Sequence, residues 1–141
     1  MISFDNFLIE DTSPIYQQII YFVQRGIVAG SIENGDEMPS RRVLSAWIGV
    51  NPNTIQKAYR ILEDEGIIAS RSGAKSCVTI DEEKIRRIRS SLLTRDTQSL
   101  IMSMKQMGIS MNDALALVES AWKEESNEMC IRDSQYRAPY R

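Results

Sequence analysis

Amide and basic side chains recur in residues 53–60 at a spacing that gathers them on one side of a helix. At about 100° per residue, counted from Ile55, the side chains of Asn53, Gln56, Lys57 and Arg60 fall between roughly 100° and 200°. An asparagine or glutamine amide can form two hydrogen bonds with adenine, and a lysine can reach guanine or phosphate. The face therefore predicts contact with DNA, although any amphipathic helix also presents a polar face to water.

Other basic residues fall where they could contact a phosphate backbone. Arg41 and Arg42 lie at the start of the preceding predicted helix, and Arg71 and Lys75 flank the tip of a predicted hairpin. Basic side chains at either place could contact phosphate or reach into a groove. Each pair, considered alone, could equally be ordinary surface charge. Residues 39–80 contain six basic and three acidic side chains, a net charge of +3 in a chain of net charge −2. A local basic patch of this kind is what a DNA-binding surface requires.

The composition argues against catalysis. The chain contains no histidine, the commonest general base and metal ligand, and it has no glycine-rich nucleotide-binding motif. Its two cysteines, Cys77 and Cys130, have neither metal-binding nor redox spacing, which is typical of free thiols in a reducing compartment. We expect a binding protein that is not an enzyme and that uses no cofactor or metal.

The hydropathy pattern indicates a cytoplasmic protein. No apolar run approaches the roughly 20 residues that a membrane-spanning helix needs, and the N-terminus does not have the pattern of a signal peptide. We therefore expect no membrane partner.

The elements predicted around the polar face are three helices followed by a hairpin. Apolar residues at helical spacing predict a first helix over 14–29, with Ser13 as its cap. A short helix lies between Ser40 and Gly49, and a third runs from a cap at Asn51 to residue 66. Strands are predicted at 67–71 and 76–80. This order predicts a mainly α fold with a small β-hairpin, a winged helix-turn-helix over residues 1–80.

The aromatic residues on the apolar stripes are expected in the core. These are Trp47, Tyr59 and Trp122, and Cys77 is expected to be a small buried residue on the second strand.

Residues 81–126 predict a two-helix segment that serves for dimerisation and effector binding. The first helix is expected to break near residues 94–97, and Ser110 caps the second. A helical pair this small cannot bury its apolar stripe alone, so a second copy of the chain is the expected partner, the alternative being that the pair folds back on the first helix. The predicted dimer interface consists of Ile85, Ile88, Leu92, Leu100, Ile101, Met104, Leu115, Val118 and Trp122.

Residues 127–141 show no periodicity and predict an irregular tail. The stretch MCIRDS at 129–134 resembles translated sequencing-adapter sequence rather than native protein, and we assign the tail no function.

Four motifs in this order resemble the GntR superfamily of bacterial regulators and, within it, the YtrA subfamily. They are PIYQQI at 14–19, PSRRVL at 39–44, VNPNTIQKAY at 50–59 and LEDEG at 62–66. The resemblance implies a homodimeric transcriptional regulator, often a repressor, that binds an inverted-repeat operator and is frequently tied to ABC-transporter genes. The implied partners are operator DNA, a second copy of the chain and a small-molecule effector of unknown identity.

The resemblance also implies which positions contact DNA. Carried over residue by residue, they are Arg42, Asn51, Asn53, Thr54, Gln56 and Lys57, with Gly73 at the wing. The wing departs from the usual Gly-x-Gly-Thr-Phe-Val pattern, since this chain has GAKSCV at 73–78. The second glycine and the aromatic residue are missing, and Lys75 adds a positive charge.

Two other functions fit parts of the pattern. A winged-helix module that binds only proteins would share the fold, but the polar face and the local charge favour DNA. A truncated member of the aminotransferase-fused branch, which binds pyridoxal phosphate, would need a much longer C-terminal part than residues 81–126 provide.

Overall fold

The computed structural model describes residues 1–71 and 75–132, with side chains described as far as Ser126. Within these residues the order is helix α1 (Ile15–Ala29), α2 (Arg41–Ile48), α3 (Pro52–Asp64), strands β1 (Ile68–Arg71) and β2 (Lys75–Val78), then helices α4 (Glu82–Gln106) and α5 (Met111–Arg132). Three helices followed by a hairpin form a winged helix-turn-helix, and two further helices follow it. The predicted fold class is confirmed.

The chain divides into two compact units, the first being Met1–Arg89 and the second beginning at Ser90. The first unit holds the hydrophobic core, to which every element of the winged helix contributes. Side chains from all three helices and both strands are almost fully buried: Ile19, Val23, Ile27, Leu44, Ile55, Tyr59, Leu62, Ile68 and Val78. Their burial stabilises the unit, since a fully buried aliphatic side chain contributes about 1.5–3 kcal/mol.

The hairpin is antiparallel, with Ile68 opposite Val78 and Arg71 opposite Lys75. A third segment runs beside β2, because the backbone N–H of Met38 donates to the carbonyl of Ser76 and that of Gly35 to the carbonyl of Val78, both at 2.8 Å. These hydrogen bonds anchor the base of the wing to the loop that precedes α2.

The first turn of α4 is tied to the winged helix by a lysine. Lys84 Nζ donates to the backbone carbonyls of Gly66 at 2.8 Å and Thr79 at 3.1 Å. Asp81 caps the helix, its carboxylate accepting from the backbone N–H of Lys84 at 2.8 Å. The start of α4 is thereby attached to the turn after α3 and to the end of the wing.

The second unit contains the remainder of α4 together with α5. Gly108 takes a φ of 73° between them, and Ser110 accepts a hydrogen bond from the backbone N–H of Asp113, which confirms its predicted cap. Most of the apolar side chains in this unit are exposed. Across the described residues, no helix is both long enough and apolar enough to cross a membrane.

Several sequence-based expectations about individual helices were wrong. The N-cap position of α1 is Pro14 and not Ser13, because the backbone carbonyl of Pro14 accepts the first helical hydrogen bonds. Pro14 has an extended conformation, and the Ser13 side chain does not cap the helix. Helix α4 is continuous through residues 94–97. The weak helix propensities there amount to only a few tenths of a kcal/mol each, which does not stop a helix in the absence of glycine or proline. Helix α5 extends through residues 127–132, into the stretch expected to be irregular.

Two of the three aromatic residues expected in the core are exposed. Tyr59 is buried as predicted, but Trp47 is 52% exposed and Trp122 is 74% exposed. Helix α2 has only eight residues and meets the core through Leu44 and the half-buried Ile48, so Trp47 projects away from it. Cys77 is buried on β2, as expected.

Candidate nucleic-acid interface

Helix α2 begins with a side-chain cap and an exposed arginine. Ser40 Oγ accepts a hydrogen bond from the backbone N–H of Val43 at 3.2 Å, and Arg42 lies exposed in the first turn. The N-terminus of a helix attracts anions, because its free N–H groups and its dipole favour negative charge. The exposed Arg42 side chain adds a positive charge at this end of the helix.

The turn between α2 and α3 is held by local hydrogen bonds. Gly49 takes a φ of 67°, a left-handed conformation that disfavours side chains with a Cβ. Ser45 forms two hydrogen bonds with Val50. Its backbone carbonyl accepts from the Val50 N–H at 3.2 Å, and its hydroxyl donates to the Val50 carbonyl. These bonds fix where α3 begins.

Helix α3 starts at Asn51 and Pro52, as predicted. Asn51 Oδ1 accepts from the backbone N–H of Asn53 at 2.8 Å, and Pro52 occupies the first helical position. The side-chain oxygen of Asn51 is thus used within the protein, which leaves its amide N–H groups for other partners. Asn51 has a structural role as a cap whether or not it also contacts DNA.

The two faces of α3 are sharply different. Ile55, Ala58, Tyr59 and Leu62 are at most 1% exposed and join the core. The opposite face consists of exposed Asn53, Lys57 and Arg60 and half-buried Thr54 and Gln56. The helix is therefore fixed by one face and presents hydrogen-bonding groups and positive charge on the other.

A tyrosine of α1 contacts this polar face and was not predicted as part of it. Lys57 Nζ lies 4.0 Å from the centroid of the Tyr16 ring, within the range of a cation–π interaction. The signal available in the sequence was Tyr16 itself, which belongs to the first family-like motif and is polar on a mostly apolar helix. Periodicity alone gave no reason to pair it with Lys57.

Arg41 differs from its neighbour Arg42, because it is engaged within the protein. Its Nη2 lies 3.6 Å from Glu63 Oε1, and its guanidinium carbon lies 5.2 Å from the centroid of the Tyr59 ring. The Tyr59 hydroxyl donates to the Pro39 carbonyl at 2.6 Å. Burial raises the pKa of Tyr59 well above its ordinary value, and the charge of Arg41 partly offsets this.

The predicted wing contacts are exposed where they are described. Arg71 and Lys75 face each other across the hairpin register and both are exposed. Lys75 Nζ lies 3.6 Å from Glu37 Oε2, a surface pair of little energetic weight. Gly73, the predicted contact at the tip, lies outside the described residues.

The residues predicted for a dimer interface fall into three groups. Leu100, Ile101, Leu115, Val118 and Trp122 are exposed, Ile85 and Met104 are half-buried, and Ile88 and Leu92 are buried within the single chain. Ile88 and Leu92 are therefore unavailable on the surface of the chain as it stands. Further apolar residues of the same unit are exposed and were not predicted for the interface: Leu93, Met102, Met107, Met111 and Leu117.

Comparison with known proteins identifies the family. The family model described as "Bacterial regulatory proteins, gntR family" matches residues 15–78. The HTH-type transcriptional repressor YtrA of Bacillus subtilis (strain 168) is 38% identical over 87 residues, which cover 57% of this chain and 67% of YtrA. The chain belongs to the GntR family.

Two solved structures extend the GntR likeness beyond the winged helix. A GntR family transcriptional regulator from Listeria monocytogenes has 34% sequence identity and a TM-score of 0.70, covering 79% of this chain and 98% of its own. YtrA from Sulfolobus acidocaldarius, a GntR-family transcription factor, has 31% identity and a TM-score of 0.52, covering 68% of this chain and 99% of its own. The two YtrA relatives support the YtrA subfamily.

Membership of the GntR family establishes the general function. The chain is a DNA-binding transcriptional regulator of the helix-turn-helix type and not an enzyme. Among the described residues, no group of three or more histidine, cysteine, aspartate or glutamate side chains is arranged to hold a metal ion.

Proposed function

We propose that this GntR-family regulator acts in the cytoplasm as a homodimeric repressor that binds an inverted-repeat operator. The observation that carries the proposal is the division of α3 into a fully buried face and a face of exposed amide and basic groups. A helix fixed in this way can enter the major groove and present its side chains to base edges at defined positions.

Each polar side chain of this face has a role in the proposed complex. Asn53 and Gln56 contact base edges, Lys57 and Arg60 contact guanine or phosphate, and Thr54 supports the entry of the helix into the groove. Arg42 at the start of α2 contacts the backbone.

The wing provides a second, weaker set of contacts. Arg71 and Lys75, with Gly73 between them in sequence, approach phosphate or the minor groove beside the recognition helix. Asn51 contributes mainly as the cap that sets the first turn of α3.

The second unit supplies the surface through which two copies associate. Five apolar residues are exposed on α4 and α5: Leu100, Ile101, Leu115, Val118 and Trp122. Removing this much apolar surface from water by association of two copies is favourable in free energy. Two winged helices related by a two-fold axis read two half-sites about one helical turn apart, which is the source of sequence discrimination.

The regulated genes are proposed from the subfamily resemblance. The YtrA-like organisation points to an ABC-transporter operon, with repression relieved by a small-molecule effector that acts through the second unit. The YtrA of Bacillus subtilis is itself described as a repressor, which supports the sign of regulation.

The deciding experiment is a selection of binding sites from random duplex DNA with the purified full chain. The proposal predicts enrichment of an inverted repeat and an affinity that falls steeply with salt, since each neutralised phosphate adds about −0.9 to the slope of log K against log salt. Binding without any sequence enrichment would contradict the proposal, and so would enrichment of a single half-site.

A further inference from the structure

Arg41 and Arg42 are adjacent in the sequence, but their side chains differ in solvent exposure and in the groups they contact. The Arg42 side chain is exposed in the first turn of α2. Arg41 is only 33% exposed and is paired with Glu63 of α3, which is 32% exposed. If Arg41 left this site to reach a phosphate, the half-buried carboxylate of Glu63 would lose the cation that faces it.

Glu63 joins three elements through one oxygen atom. Its Oε1 lies 3.6 Å from Arg41 Nη2 and accepts a hydrogen bond of 2.9 Å from Ser70 Oγ. Arg41 belongs to the first turn of α2, Glu63 to the last turn of α3, and Ser70 to strand β1 of the wing. The position of this oxygen therefore depends on the arrangement of both helices and the wing.

The guanidinium of Arg41 is held on its other side by Tyr59. It lies over the Tyr59 ring, whose own hydroxyl is bound to the Pro39 carbonyl just before α2. Arg41 Nε is buried and finds no hydrogen-bond partner among the described residues. The negative face of the Tyr59 ring compensates for the missing hydrogen bond. In this position the Nε–H group is shielded from solvent and from any phosphate.

We propose that Arg41 is a positioning residue, which sets the arrangement of α2, α3 and the wing through Glu63 and does not itself grip DNA. The proposal rests on the proposed DNA-binding function. It assigns the phosphate contact at this helix start to Arg42 alone, and it makes Glu63, an acidic residue, favourable for binding a polyanion.

The test compares Arg41→Gln, Glu63→Gln and the double variant, all in the full chain. Affinity for the selected operator is measured by fluorescence anisotropy over a range of salt concentrations. A positioning role predicts that each single variant binds about tenfold more weakly, that the double variant is no weaker than either single variant, and that the salt slope is unchanged. If Arg41 instead gripped phosphate, Arg41→Gln would reduce the steepness of the salt slope by about 0.9 and Glu63→Gln would strengthen binding. That result would overturn the proposal.

Asp64→Asn is the matched control for Glu63→Gln, because it removes the same charge from an adjacent, exposed side chain. It should leave operator affinity unchanged or slightly increase it, and an equal loss of affinity in both variants would overturn the proposal. If Arg41→Gln does not fold, Glu63→Gln alone decides, since the two roles predict effects of opposite sign.

A measurement without DNA separates this proposal from the proposed function. The midpoints of urea unfolding for the two single variants and the double variant should be non-additive, as expected for two side chains in direct contact. Additive midpoints would overturn the positioning role even if operator binding were intact. Failure to select any operator would instead refute the DNA-binding function, while the unfolding measurement would still decide the link between Arg41 and Glu63.

Discussion

The ammonium group of Lys57 lies 4.0 Å from the centroid of the Tyr16 ring. The contact joins the first helix to the exposed face of the third, on which most of the proposed base contacts lie. It restricts a long, flexible side chain that would otherwise sample many rotamers in water. The orientation of the proposed recognition residue Lys57 thus depends on a residue of a different helix.

The contact between Tyr16 and Lys57 should be measurable as a coupling in stability. A double-mutant cycle of Tyr16→Leu and Lys57→Met should give an interaction free energy of about 0.5–1 kcal/mol, the usual range for an exposed cation–π pair. Chemical unfolding of the four proteins measures it. Tyr16→Phe is the control, because phenylalanine keeps the aromatic ring. A cycle built with Tyr16→Phe in place of Tyr16→Leu should therefore give an interaction free energy close to zero.

The polar residues proposed to contact DNA should affect DNA binding without affecting the fold. Lys57→Ala should weaken operator binding by about 1–3 kcal/mol through a lost contact to a base edge, and Gln56→Ala should relax sequence preference more than affinity. Arg42→Ala should weaken binding to all sequences alike and reduce the steepness of the salt slope by about 0.9 through a lost phosphate contact. Arg86→Ala, an exposed arginine of α4, is the matched control. Circular dichroism should remain native in all four variants. If Arg86→Ala weakens binding as much as Arg42→Ala does, the effect is general charge and not a specific contact.

Asn51 allows the capping role to be separated from any contact with DNA. Asn51→Ala removes the acceptor for the Asn53 N–H and should lower the free energy of unfolding by about 1 kcal/mol. Asn51→Asp keeps the acceptor and should retain stability, but it adds a negative charge at the polar face and should weaken DNA binding. Urea unfolding and anisotropy on the same preparations test both statements. Equal stability of the Ala and Asp variants would show that the cap does not contribute.

Leu44 and Trp47 lie one turn apart on α2 and should respond very differently to truncation. Leu44 is fully buried, so Leu44→Ala should destabilise the chain by about 2–5 kcal/mol through lost burial and a cavity. Trp47 is half exposed, and Trp47→Ala should cost far less despite the larger side chain. Thermal unfolding monitored by circular dichroism compares them, and a larger loss for Trp47→Ala would place that residue in the core after all.

The exposed apolar residues of the second unit should control the oligomeric state. Leu115→Asp places a carboxylate at the proposed interface and should weaken association by about 1–3 kcal/mol per protomer. Asn112→Asp adds the same charge to a polar, exposed position of α5 and should leave the dimer intact. Sedimentation equilibrium at micromolar concentration reports the outcome. A parent protein that is already monomeric under these conditions would rule out the two-fold arrangement.

Local sequence signals predicted much of the first unit. Ser40 and Asn51 are strong caps with apolar residues at helical spacing behind them, and the structure places both as predicted. The buried stripe of α3 was also predicted, because Ile55, Ala58, Tyr59 and Leu62 share one helical face. Signals of this kind depend on residues within one or two turns of each other, which a single sequence displays directly.

The features that were missed depend on contacts between distant parts of the chain. Nothing near Arg41 in the sequence indicates that it pairs with Glu63, twenty-two positions later, or that Lys57 meets Tyr16. The exposure of Trp47 likewise follows from how α2 lies on the core and not from its own apolar pattern. Pairings of this type are decided by tertiary packing, on which helical periodicity carries no information.

The separation of α3 into a buried face and a polar face makes this chain a suitable scaffold for engineering. The cap at Asn51 and Pro52 and the buried face from Ile55 to Leu62 hold the helix without help from its exposed side chains. A library randomised at Asn53, Gln56 and Arg60 would therefore vary the chemistry presented to a DNA duplex while leaving the core unchanged. Such a library could yield regulators with new operator preferences on one constant framework.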